Sequence, residues 1–114
     1  MRLSEHFTSE EMACKCGCGF DSVNPVLVDM LEVIRAHFGK PVIINSACRC
    51  ESHNKAVGGR KNSQHLLGNA ADIVVRGATP DDVHAYIDGE FKVCGLGRYK
   101  AFTHVDCRKY RARW

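Results

Sequence analysis

The chain has 114 residues, 45% of them hydrophobic, which suits one compact domain (1–114) with a single core. A formal net charge of +3 is too small to argue for nucleic acid, and no run approaches the ~18 apolar residues of a membrane span. The opening Met1-Arg2-Leu3-Ser4-Glu5-His6 lacks the apolar centre of a signal peptide, so synthesis in the cytoplasm is expected. Any delivery to another compartment then needs outside help.

In chain order, Thr8 and Glu11 have the spacing of a capping box, which predicts one or two helical turns. The cysteine-and-glycine loop from Cys14 to Gly19 ends them. Asn24-Pro25 reads as the cap and first position of a longer helix. Leu27, Leu31, Ile34 and Phe38 give it one apolar face; Gly39 stops it and Pro41 prevents resumption. Val42-Ile43-Ile44-Asn45 predicts a short buried strand, with Ser46 and Arg49 just past its end. Glu51 to Val57 reads as a helical turn or two, closed by Gly58-Gly59. Asp72 opens a β-branched strand, Ile73-Val74-Val75. Thr79-Pro80-Asp81-Asp82 is a second strong helix start, with Val83, Tyr86 and Ile87 facing inward and Gly89 as the stop. Residues 93–99 and 102–107 predict a hairpin joined by Lys100-Ala101. The order suggests an α+β domain with helices packed on one side of a mainly antiparallel sheet. The basic tail Arg108-Lys109-Tyr110-Arg111-Ala112-Arg113 is expected to be a solvated end.

The seven cysteines are an odd number and cannot all pair internally. Five lie in two groups: Cys14, Cys16 and Cys18, then Cys48 and Cys50. These five are candidates for a second, structural metal site, since reducing conditions disfavour stable disulfides. Disulfides formed after release and free buried thiols remain open as alternatives.

The residues with the most chemistry are His65 and Asp72, seven apart, with Gly68, Ala70 and Ala71 between them. Gly68 allows the chain to fold back and bring the imidazole to the carboxylate. A strand-like cluster, Phe102-Thr103-His104-Val105-Asp106, puts His104 and Asp106 on one face. Two histidines and a carboxylate are a three-ligand set with a position left open, the pattern of a catalytic zinc; a structural hydrogen-bonded His–Asp pair is the alternative.

The pattern Ser63-x-His65-x-x-Gly68-x-Ala70-x-Asp72 followed by His104-x-Asp106 resembles the D-Ala-D-Ala carboxypeptidase family of zinc peptidases. The likeness is to its small single-domain members from phages, prophages and bacterial murein endopeptidases. It extends through the opening from Phe7 to Phe20, Ser46-Ala47-Cys48-Arg49 and His53-Asn54-Lys55-Ala56-Val57-Gly58-Gly59. The resemblance implies a hedgehog/D-Ala-D-Ala peptidase-like fold and Zn2+ held by His65, Asp72 and His104. It implies Arg49 as the group holding a substrate carboxylate, and Ser63 and Gln64 lining the cleft. It also implies hydrolysis of peptidoglycan stem peptides or cross-links by metal-activated water, in a monomer that neither binds nucleic acid nor inserts in membranes. Such an enzyme would reach the cell wall after release or with phage assistance, as an endolysin does.

One departure matters. Many relatives carry Glu or Asp three residues before the last His, and that position here is Ala101. Asp106 is the nearest carboxylate, expected either as the general base or as an acceptor that steadies an imidazole. A zinc-stabilised binding domain without hydrolysis is the alternative function.

Overall fold

The structure is a computed structural model describing residues 1–114. Its helices are α1 (Ser9–Met12), α2 (Pro25–Phe38), α3 (Glu51–Ala56) and α4 (Pro80–Glu90). Its strands are β1 (Val42–Ser46), β2 (Ala70–Val75), β3 (Gly95–Arg98), β4 (Thr103–Asp106) and β5 (Ala112–Arg113). They form one sheet in the order β1-β2-β4-β3-β5, antiparallel except where β5 joins β3 in parallel.

The helix starts follow from their caps. Thr8 and Glu11 satisfy each other's backbone N–H groups at α1, and Thr79 and Asp82 do the same at α4. The Asn24 side chain accepts from Val26 N–H at 2.9 Å, with Pro25 supplying a pre-set first turn. Gly39 closes α2 in the left-handed conformation at φ 63°. Gly89 does not end α4, which runs on to Glu90, because glycine weakens a helix without breaking it.

One face of the sheet is apolar. Leu27, Leu31 and Ile34 of α2 and Val83 and Ile87 of α4 join Ile73, Val75, Leu96 and Val105 in the core. Fully burying each such side chain contributes roughly 1.5–3 kcal/mol. α2 and α4 pack on this face, as expected, whereas α3 adds nothing to this core and packs against the Gln64–Leu67 turn. β1 differs from the buried strand expected: Val42 and Ile44 face the core, while Ile43 and Asn45 are exposed. It lies at the sheet's edge, where its outer face meets no second layer.

The other face carries the polar residues. Asp72 pairs across from His104, and His104 from Gly97; two rungs along, and so on the same face, Asp106 lies between Ala70 and Gly95. The β1–β2 register shifts between Ile44 and Ser46, so Ser46 stands opposite Asp72. Such a bulge turns a side chain that would point to the core onto the opposite face.

The basic tail is not the solvated end the sequence suggested. Residues Ala112–Arg113 extend the sheet, and Arg113 donates to Asp88 Oδ1 at 2.7 Å and to the Cys94 and Phe91 carbonyls at 2.6 and 2.9 Å. A guanidinium beside a carboxylate and the carbonyls of Phe91 and Cys94 supplies a reason to fold back that charge counting misses. No helix is long and apolar enough to cross a membrane.

Candidate metal centre

Three side chains converge on the polar face. His65 Nε2 lies 3.3 Å and His104 Nδ1 3.1 Å from the same oxygen, Asp72 Oδ1. All three residues are buried. His65 is placed by a short 3-10 turn, Gln64–Leu67, whose cap Ser63 accepts from His65 N–H at 3.2 Å. Gly68 then takes φ 70° and reverses the chain into β2. A side chain at Gly68 would also run into the Ser22 carbonyl, at 2.2 Å from a Cβ. The fold-back expected from the sequence has a steric as well as a conformational requirement for glycine.

The far sides of the imidazoles decide what the near sides can do. His65 Nδ1 is 2.6 Å from the Ala47 carbonyl, which can only accept, so Nδ1 carries the hydrogen. His104 Nε2 is 2.8 Å from Asp106 Oδ2, likewise an acceptor. As neutral rings, both histidines therefore turn an unprotonated nitrogen toward Asp72. Three acceptor atoms face one another in a dry place, an arrangement that repels itself unless a cation lies among them. Ligand atoms at adjacent corners of a tetrahedron with arms of about 2.1 Å stand about 3.4 Å apart. The spacings here fit zinc.

Charge in the site follows the same logic. Burial opposes ionisation of Asp72, but when the rings of His104 and His65 carry protons their bonds outweigh it and hold the carboxyl well below its usual range. Burial likewise opposes charge on His104, yet Asp106 and Asp72 together raise its pKa. Two carboxylates around this ring favour positive charge, which a proton or a metal ion can provide.

Arg49 lies against the other oxygen of Asp72. Its Nη2 donates to Asp72 Oδ2 at 2.9 Å, Nε to Ser46 Oγ at 3.0 Å and Nη1 to Asn54 Oδ1 at 3.3 Å. Asn54 is buried and donates to the Arg60 carbonyl at 2.8 Å, which ties the loop after α3 to the arginine. Arg49, Ser63 and Gln64 line a cleft of about 800 Å³ together with His65, Asp72 and His104. Ser63 serves there as the turn's cap, and Gln64 Oε1 accepts from Asn69 at 3.1 Å.

Asp106 does not reach the cleft. Fully buried behind the His104 ring, its Oδ1 accepts from the Gly95 and Arg108 N–H groups, both at 3.1 Å, and from Arg108 Nε at 2.8 Å. Its Oδ2 accepts from His104 and from Arg108 Nη2 at 2.7 Å. Burial would raise its pKa; His104 and Arg108 reverse that and hold it well below the usual range. The base role considered for Asp106 does not fit, since no lone pair is left to face the cleft. Asp72 is the one carboxylate lining it.

Two contributions escaped sequence reasoning. Trp114 sits beside His104, ring centroids 5.0 Å apart, and its Nε1 donates to the Tyr99 hydroxyl at 3.0 Å. Arg108 pairs with Asp106 and lies over the Trp114 ring at 5.1 Å. The signal for both was Gly95-x-Gly97, two glycines on one strand face. A Cβ would meet Asp106 at 2.2 Å from the first and Trp114 at 2.5 Å from the second.

The cysteines also divide differently from the sequence grouping. Cys14, Cys16, Cys18 and Cys50 come together, whereas Cys48 is buried away from them. Cys48 belongs to an irregular segment held by its N–H to the Met12 carbonyl at 3.0 Å, and Cys50 caps α3.

No curated protein matches the chain. A family model described as peptidase M15 matches residues 5–106, and this span contains all three converging ligands, Arg49 and Asp106. M15 peptidases are zinc-dependent, in agreement with the donor set found here. A match over nearly the whole length makes the chain a member of the peptidase M15 family.

Proposed function

We propose that the protein is a zinc peptidase cutting peptide bonds in peptidoglycan, with the ion held by His65 Nε2, Asp72 Oδ1 and His104 Nδ1. The observation that carries this reading is the set of three buried acceptor atoms whose opposite atoms are already bonded, to Ala47, Arg49 and Asp106. Zinc with an open position lowers the pKa of a bound water to about 7 and polarises a carbonyl.

The chain's own residues would do the remaining work. Ala47 and Asp106 hold the two imidazoles in the tautomers that ligate. Arg49 uses three of its five N–H groups within the protein, leaving one on each terminal nitrogen for a substrate carboxylate. Arg60, Lys61, Arg108 and Arg113 add positive charge around the cleft. Stem peptides of peptidoglycan carry free carboxylates, which such a cleft attracts. Tyr99, Phe102 and Trp114 offer apolar surface on the same side.

The test is digestion of purified cell walls with and without a chelator, followed by mass spectrometry of the released muropeptides. Cleavage that stops on chelation and returns with zinc supports the proposal, and the masses identify the bond. A second reading has one observation in its favour: no carboxylate other than Asp72 lines the cleft, and Ala101 is an exposed turn residue. On that reading the domain binds wall peptides without hydrolysing them. Retention on walls with no released fragments would favour it.

A further inference from the structure

The second cluster lies outside the cleft and plays no part in the chemistry above. Cys14, Cys16, Cys18 and Cys50 place their four sulfurs within 4.8 Å of one another. The Cys14–Cys16, Cys16–Cys50 and Cys14–Cys50 separations are 3.4, 3.6 and 3.9 Å. A disulfide needs about 2.05 Å. Thiolates at the corners of a zinc tetrahedron with arms of about 2.3 Å stand about 3.8 Å apart. The observed separations bracket that edge length.

The local backbone is shaped for the same purpose. Gly17 and Gly19 adopt φ 84° and 90°, and Cys14 N–H donates to the Phe20 carbonyl at 2.8 Å, closing the loop on itself. Three cysteines spaced two apart can then aim at one point instead of along a strand. Backbone N–H groups already point at two of the sulfurs: Cys50 N–H to Cys14 Sγ at 3.4 Å, and His53 N–H to Cys50 Sγ at 3.5 Å. Donors of that kind stabilise thiolate over thiol. The fourth sulfur comes from a distant part of the chain, 36 residues from Cys14.

We propose that Cys14, Cys16, Cys18 and Cys50 form a tetrathiolate zinc site that pins the N-terminal loop to the segment bearing Arg49. Four thiolates with no open position give a closed, structural site rather than a reactive one. Arg49 stands next to Cys50 in sequence and donates its backbone N–H to the His65 carbonyl at 3.1 Å. The second metal therefore supports the arginine of the cleft from behind. Binding requires loss of the thiol protons, so it weakens as pH falls.

The full chain, produced under reducing conditions with zinc, is assayed for metal per chain and then reconstituted with cobalt. The His65→Ala/His104→Ala variant should retain one equivalent of zinc. Its cobalt form should show thiolate-to-cobalt charge transfer and the intense visible bands of a tetrahedral site. The Cys16→Ser/Cys18→Ser variant, which alters only exposed residues, should lose those bands. Absence of zinc in the histidine variant, with thiols that react freely, overturns the proposal. So does a disulfide among these cysteines in reduced, zinc-supplied protein. The histidine variant keeps every cysteine, so its spectrum reports on this site whether or not the cleft is catalytic.

Discussion

On one face of β2 and β4 stand Ile73, Val75 and Val105; on the other, one residue along each strand, stand Asp72, His104 and Asp106. Both sets are buried. The apolar face needs only neighbours of the right volume, which α2 and α4 supply. The polar face needs a named partner for every atom: Asp106 has Gly95, His104 and Arg108, and the outer oxygen of Asp72 has Arg49. One face tolerates any good packing, while the other tolerates almost no change of chemistry.

The largest expected break of this contrast is Asp72→Ala against Ile73→Ala. The first removes the shared oxygen and leaves Arg49 without its carboxylate. Zinc at this centre and wall hydrolysis should both fall to background, as metal analysis and digestion would show. The second should lower stability by about 2–5 kcal/mol in denaturant unfolding, with activity per folded molecule preserved. Equal loss of specific activity in both would erase the distinction between the faces.

Asp106→Asn probes the partner behind the ligand. An orienting role predicts about 10–100-fold weaker metal binding, with turnover restored by added zinc. A metal-saturated variant that stays inactive would mean the carboxylate acts on substrate after all. Arg49→Lys keeps the charge but loses the fork, and should reduce kcat/KM on a defined muropeptide about ten- to a hundredfold. Unchanged kinetics would remove the arginine from the substrate site. Smallest should be Gly97→Ala, where only the partly exposed Trp114 must move. A cost of about 1–3 kcal/mol in thermal unfolding is expected, and Gly95→Ala, which meets buried Asp106, should exceed it.

Much of the architecture was legible because local chemistry and global packing agree. The caps at Thr8, Asn24 and Thr79 and the stop at Gly39 announced helices that the structure contains. His65, Asp72 and His104 were legible through their spacing, and the fold brings them together. Strand periodicity correctly put Asp106 on the face of His104. It said nothing of which end of the imidazole that carboxylate would meet, and two residues along a strand is far enough to place it behind the ring. The tail was misread because two residues of parallel pairing carry no periodic signal. Cys48 was misgrouped because spacing alone cannot tell an extended segment from a helix cap.

Trp114 is the only tryptophan in the chain, and its ring lies 5.0 Å from that of His104. Intrinsic fluorescence excited at the indole therefore comes from one place, beside a ligand of the metal centre. Filling of that centre, protonation of the imidazole or arrival of a peptide would each change the emission of a reporter that needs no label. Titrating zinc while following this signal, in protein whose cysteine cluster is already filled, would give the affinity of the histidine site.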